Sequence, residues 1–270
     1  RRVLFRSISA LNDGTYNVKI RTTDNLGNTA TSETSTLQID RTAPTPTITS
    51  TQSSPTKANP INFQVTFDEA VTEFDATDIT LTGGTIVSGS FSGSGSNYSF
   101  NVTPTSDGTI TVNINASAAS DLSSNTSNAA TQFSITSDRT APVPTITTTS
   151  PTKSNTLAGT ATDANTVTLV EVSTNNGSTF TTATGTTSWS LDISALNDGT
   201  YNVKIRTTDN AGNTATSETS TIQINRTAPT PTITSTQSSP TKANPINFQV
   251  TFDRSEEHTS ERQSRETISY

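Results

Sequence analysis

The sequence predicts an all-β protein laid out as a row of small β-sandwiches. Three observations carry this: apolar and polar residues alternate at period two, a long internal repeat recurs, and a proline-rich marker punctuates it. Residues 8–68 recur at 193–253, displaced by 185, and only Leu26/Ala211, Leu37/Ile222 and Asp40/Asn225 differ. Within that period a shorter marker reads DRTAPTPTIT at 40–49, DRTAPVPTIT at 138–147 and NRTAPTPTIT at 225–234. Its copies lie 98 and 87 residues apart, so two kinds of module alternate. Blocks of about 90 residues suit a small β-sandwich and fall well below the size limit of a single core.

The expected order is therefore 8–39 as the last strands of one module, 40–137 and 138–225 as complete modules, and 226–253 as the first two strands of another. Ala-Pro-x-Pro in each marker fixes φ twice and removes two backbone donors, which makes a short stiff hinge between modules. In the 40–137 module Ile61, Phe63, Val65 and Phe67 face one way, with Asn62, Gln64 and Thr66 the other. Tyr98, Phe100 and Val102 repeat the pattern, as do Ile110, Val112 and Ile114, which reads as half-buried antiparallel strands. The Ser/Gly run from Ser88 to Ser96 reads as a surface hairpin tip. In the 138–225 module Asn176-Gly177 is a type I′ hairpin signal. Trp189, Leu191 and Ile193 share a core face, and Tyr201, Val203 and Ile205 form a further alternating strand.

Composition narrows function. Between residues 8 and 253, ten Lys+Arg stand against nineteen Asp+Glu, so no basic surface offers itself to nucleic acid or anionic lipid. The chain has no Cys, hence no disulfide framework, thiol nucleophile or Cys-metal knuckle. No run approaches the ~18 apolar residues of a membrane span, and no signal peptide opens the chain, which fits an internal fragment or a cytosolic protein. Residues 8–253 also lack His, and no serine sits in a GxSxG elbow with a base to serve it. The carboxylate pairs Asp68/Glu69 and Asp75/Asp78 lie in turn-rich sequence. No enzymatic activity is expected.

The two ends read differently from the body. One permitted codon choice for RSEEHTS, starting at Arg254, is AGA TCG GAA GAG CAC ACG TCT; its reverse complement, AGA CGT GTG CTC TTC CGA TCT, encodes RRVLFRS, the first seven residues. That text resembles a common sequencing adapter. Residues 1–7 and 254–270 are therefore expected to be non-native, and the sole histidine, His258, is given no role.

An NDGTYNV strand, a TDNxGNTA loop, a closing strand and then DRTAP resemble the tandem bacterial immunoglobulin-like repeats of very large surface adhesins and biofilm-associated proteins. VTFDEAVTEFDATDITLTGG with DGTITVNINASAASDLSSN is similar to a second variety in the same proteins. The resemblance implies an extracellular, cell-surface stalk of immunoglobulin-like β-sandwiches, whose partners are the neighbouring repeats and an unidentified distal ligand. Each module would add roughly 40 Å of reach, from strands of ~6–8 residues plus loops and linker. In a seven-strand immunoglobulin-like topology the B–C and F–G loops share the pole where the chain enters, and the E–F loop lies at the other. Asp107 (E–F), Asp138 (boundary), Asp209 (F–G) and Asp163 (B–C) would then gather at one junction. Asp13, Asp40 and Asp121, with Glu69, would gather at the earlier one. Acids crowding a hinge repel unless a cation separates them, and oxygen-only ligands suit Ca²⁺; the resemblance likewise implies calcium at module junctions. The alternative is that Asn-Asp-Gly and Asp-Asn-x-Gly-Asn simply make tight turns. Two rival functions stay open: ligand-binding loops at one end of a sandwich, and accessory modules of a secreted enzyme.

Overall fold

The computed structural model describes residues 11–235, 237, 239, 242 and 248–252. The expectations for 1–7, for Asp253 and for 254–270 lie outside the described residues. The described residues are strands and loops, apart from one 3₁₀ turn at Ala76–Asp78. Among them no helix is long and apolar enough to cross a membrane.

The leading segment supplies β1 (Gly14–Val18), β2 (Arg21–Thr23), β3 (Thr29–Thr31) and β4 (Ser35–Ile39). They pair as two ribbons, β1 with β4 and β2 with β3. With no facing sheet among the described residues, Val18, Ile20 and Leu37 are exposed.

The next module contains β5 (Pro46–Ser50), β6 (Ile61–Thr72), β7 (Ile79–Thr82), β8 (Gly84–Ile86), β9 (Ser92–Pro104), β10 (Gly108–Ile114), β11 (Ser120–Asp121) and β12 (Phe133–Ser137). One sheet runs β5-β6-β9-β8 and the other β7-β10-β12, all antiparallel. In strand letters these are A-B-E-D and C-F-G, the arrangement of a constant-type immunoglobulin sandwich. The alternating apolar positions all turn inward: Ile61, Phe63, Val65, Phe100, Val102, Ile110 and Val112 are fully buried. Phe63 lies opposite Phe100 in register, and their rings stack at 5.4 Å. Burial of one such ring contributes ~1.5–3 kcal/mol. The expected surface tip at 88–96 is shorter than the Ser/Gly run suggests. β9 already begins at Ser92, and the chain reverses within it at Gly93–Gly95, both at positive φ, which brings the Ser92 and Ser99 hydroxyls to 3.2 Å.

The following module contains β13 (Val143–Ile146), β14 (Thr156–Thr162), β15 (Val167–Ser173), β16 (Thr181–Thr182), β17 (Ser188–Asp192), β18 (Gly199–Asp209), β19 (Thr214–Thr216) and β20 (Ser220–Ile224). Its sheets are β13-β14-β17 and β16-β15-β18-β19, with β20 also on β18, so the fourth strand has moved across to the C-F-G sheet. Trp189 is buried opposite Gly159; a Cβ on that glycine would lie 2.4 Å from the indole, so the side-chain-free position makes room for the ring. Asn176 and Gly177 both take positive φ, 59° and 88°, as a type I′ turn requires. They sit in a longer connection from β15 to β16 and not in a two-residue loop. Tyr201 Oη donates to the Asn197 carbonyl at 3.0 Å, and Tyr16 Oη does the same to Asn12 at 2.8 Å. This is the tyrosine corner of immunoglobulin sandwiches. Finally β21 (Pro231–Ser235) pairs with β22 (Phe248–Phe252).

The two complete modules have separate cores, one around Phe63 and Phe100 and one around Trp189 and Val203. Their common feature is the linker between them. Thr56 N–H donates to the Thr136 carbonyl and the Thr56 carbonyl accepts from Asp138 N–H at 2.8 Å, so the last strand is pinned up to the boundary residue. Thr152 repeats both bonds with Gln223 and Asn225.

Candidate metal centre at the module junction

Asp138 is the first residue after the last strand of one module. Its neighbours come from two loops of the next. Asp163 follows β14 in the B–C loop, and its Oδ1 accepts from Asn165 N–H at 2.7 Å, which sets its rotamer. Asp209 ends β18 and opens the F–G turn. There Asn213 donates its backbone N–H to Asp209 Oδ1 at 2.8 Å and its side-chain amide to Oδ2 at 2.9 Å. The same amide group donates to the Asp138 carbonyl at 2.9 Å, so one side chain ties the linker to the turn.

Asp138, Asp163 and Asp209 each place a carboxylate oxygen so that all three lie within 4.8 Å of one another. Asp138 is 1% exposed and Asp209 3%. Asp138 Oδ1 accepts from Thr140 N–H, whereas Oδ2 is buried with no hydrogen-bond partner. Burial, with the charge of Asp209 next and Asp163 and Asp107 adding smaller pushes, holds the Asp138 carboxyl above the ordinary carboxylate value. A buried carboxylate with one oxygen lacking a donor, grouped with two further carboxylates, is costly unless a positive charge joins them. The donor set is all oxygen and suits a hard divalent cation such as Ca²⁺.

The preceding junction repeats the plan with Asp40, Glu69 and Asp121, again within 4.8 Å of one another. Asn125 takes the place of Asn213: it donates to both oxygens of Asp121 at 2.8 Å and to the Asp40 carbonyl at 3.2 Å. Burial, then Asp40, Asp121 and Asp68, raise the Glu69 carboxyl. Burial pushes Asp121 up as well, but the hydrogen bonds from Asn125, Ser123 and Ser124 outweigh it and leave it lowered. This site is more open, with Asp40 and Glu69 only half-buried.

Two family models, both described as a bacterial Ig-like domain, match residues 40–137 and 146–226. The chain belongs to the bacterial Ig-like domain family. No curated protein matches it. Among solved structures it is similar to the fibronectin(III)-like modules of Clostridium thermocellum CbhA at 12% identity, covering 66% of this chain and 92% of that one, with a TM-score of 0.33. It is also similar to the FN1–FN3 domains of chicken CNTN1 at 12% identity, covering 80% and 77%, with a TM-score of 0.30.

In these Ig-like modules the E–F aspartates do not join the acidic clusters, contrary to the expectation for Asp107 and Asp13. Asp107 accepts from Arg139 N–H at 3.0 Å and from the Thr140 hydroxyl at 2.5 Å. Asp13 accepts from Arg41 N–H at 3.0 Å and from the Thr42 hydroxyl at 2.8 Å. The reason is directional: the Arg-Thr pair that follows each boundary residue offers donors on the side facing the E–F loop, and an anion takes them. The Thr140 hydroxyl first, with Arg139 helping, holds Asp107 below the ordinary value; Arg41 N–H first, then Thr42, does the same for Asp13. Asp198 is a third instance, accepting from Arg226 N–H at 2.8 Å and the Thr227 hydroxyl at 2.6 Å. Reasoning from sequence passed over Asp198, Asn125 and Asn213. Their signals were present: an Asp-Gly step ahead of every Arg-Thr marker, and Asp-x-x-x-Asn at 24–28, 121–125 and 209–213. At the third boundary Asn225 stands where the others have Asp, and brings a neutral oxygen.

Proposed function

We propose that this chain is a spacer segment of a long bacterial cell-surface adhesin, a non-catalytic stalk that projects a distal binding domain for attachment or biofilm formation. Ca²⁺ held at the junctions by Asp138, Asp163 and Asp209, and by Asp40, Glu69 and Asp121, stiffens it. The single observation that supports this best is the buried, unpartnered Oδ2 of Asp138, in a carboxylate grouped within 4.8 Å with those of Asp163 and Asp209 of the next module. A cation there would be bonded at once to the linker and to both loops of the following sandwich. It would oppose bending at that joint, because bending parts the ligands. Tandem Ig-like modules with separate cores and short proline-fixed linkers are what such a mechanical role needs.

The test is calcium titration of the whole chain, read by calorimetric melting and by small-angle scattering. At a hundredfold excess over Kd, binding contributes about 2.7 kcal/mol, on the order of a 10 °C rise for a module of this size. The maximum dimension should grow or its distribution sharpen in calcium relative to chelator. Identical melts and scattering in both, or an Asp138→Ala chain in which calcium still raises the transition of the 138–225 module, would remove the calcium reading.

A further inference from the structure

We propose that the Ser-Pro-Thr-Lys turn at the C-terminal pole of each Ig-like module is a docking latch for the F–G turn of the module that follows, and that it sets the angle of the joint without a cation. The observation is a single contact between residues 155 positions apart: Lys57 Nζ, on one complete module, donates to the Gly212 carbonyl, on the other.

Both halves of this contact are built rather than loose. On the donor side, Thr56 is fastened to the last strand of its own module by a backbone bond to Thr136, and to the linker by the bond from Asp138. Lys57 therefore extends from an anchored turn. On the acceptor side, Gly212 lies in the Asp209–Asn213 turn, closed by Gly212 N–H to the Asp209 carbonyl and by the Asn213 bonds to Asp209. Gly212 holds φ at +85°, a left-handed conformation that aims its carbonyl outward. The ammonium lies close over it, 3.5 Å from where a Cβ would stand, at ordinary contact distance. Pro55, one step before Thr56, lines a cleft shared with Asp163, Asn165 and Asn210 of the second module. The turn thus touches both loops that frame the junction.

The sequence carries the turn in each of the three modules that begin at a proline-rich marker. Ser-Pro-Thr-Lys stands at 54–57, 150–153 and 239–242. Thr152 repeats the pinning of Thr56 on the last strand, which puts Lys153 at the corresponding pole of the second module. The F–G turn of the 40–137 module has Ser124 in place of glycine, yet Ser124 keeps a positive φ of 66° and its N–H bonds to the Asp121 carbonyl.

The latch does not depend on the calcium reading, and the experiment separates them by working in chelator. The chain has no cysteine, so Ser88→Cys and Thr181→Cys, both at exposed positions on different complete modules, accept spin labels without background. Electron–electron distance measurement in chelator should give a narrow distribution for the otherwise unaltered chain. Lys57→Ala should broaden it and move its maximum, Lys57→Arg should restore most of the narrow form, and Lys153→Ala should leave it unchanged. Circular dichroism melts establish that each variant is folded. A Lys57→Ala distribution indistinguishable from the parent, or equal broadening by Lys153→Ala, would overturn the proposal.

Discussion

Asn213 shows how much one side chain can bind together. Its backbone and amide groups satisfy both oxygens of Asp209 and the carbonyl of Asp138, and the residue is nearly buried. Asn213→Ala keeps the backbone bond to Asp209 Oδ1 but removes the amide donor to Asp209 Oδ2 and to the Asp138 carbonyl, and the expected loss is ~1–3 kcal/mol in urea unfolding of the 138–225 module. Asn125→Ala, in a more open site, should cost less. Asp107 gives a pH dependence with a definite sign. The Thr140 hydroxyl, and after it Arg139, hold its folded value below the unfolded one, so its contribution is present above the unfolded value and lost as pH falls through the folded one. Urea midpoints measured downward from about pH 6 should show an acid limb that is shallower in Asp107→Asn. Here sequence reasoning placed the right residue at the right pole and gave it the wrong partner. Chain position says which end of a sandwich a loop occupies. Which way its carboxylate turns is decided by donors two residues past the boundary.

At the scale of strands, the sequence was most readable where packing is two-faced. Every third- and fourth-turn ambiguity disappears when Ile61, Phe63, Val65 and Phe67 alternate with polar residues, because only a pleated strand puts them on one side. The fourth strand of each module was not readable. β8 has three residues and β16 two, and which sheet they join depends on connection length, not on any apolar pattern. The Phe63/Phe100 pair joins neighbouring strands B and E on the core face of one sheet of the 40–137 module. Phe100→Ala should cost ~3–5 kcal/mol from lost transfer and the cavity left behind. The loss should appear in that module alone, since the other core shares no residue with it. Trp189, the only tryptophan, lies in the 138–225 module and provides the check: its fluorescence transition should not move while the calorimetric transition of the mutated module falls.

For the whole molecule, separate cores joined by short linkers make stability a sum of module terms and junction terms. The junction at Asp138 is unequal in what it asks of its two sides. The 138–225 module supplies Asp163 and Asp209 from two loops, while Asp138, just past the last strand of the preceding module, is the one carboxylate of the cluster on the linker. A cation binding there holds the B–C loop against the F–G turn of one sandwich, so unfolding that sandwich releases the ion. Unfolding the preceding module frees only the linker. The other cluster, at Asp40, Glu69 and Asp121, belongs in the same way to the 40–137 module but is more open, and water competes better for the ion there. In chelator two transitions are expected. Added calcium should raise the one reported by Trp189 first, at lower concentration, and the other later. Asp163→Asn should abolish the first shift and spare the second, and Glu69→Gln should do the reverse. A calcium response in which both transitions rise together, and in which either substitution weakens both, would mean that the modules are bound into one cooperative unit and that additivity along the row of modules fails.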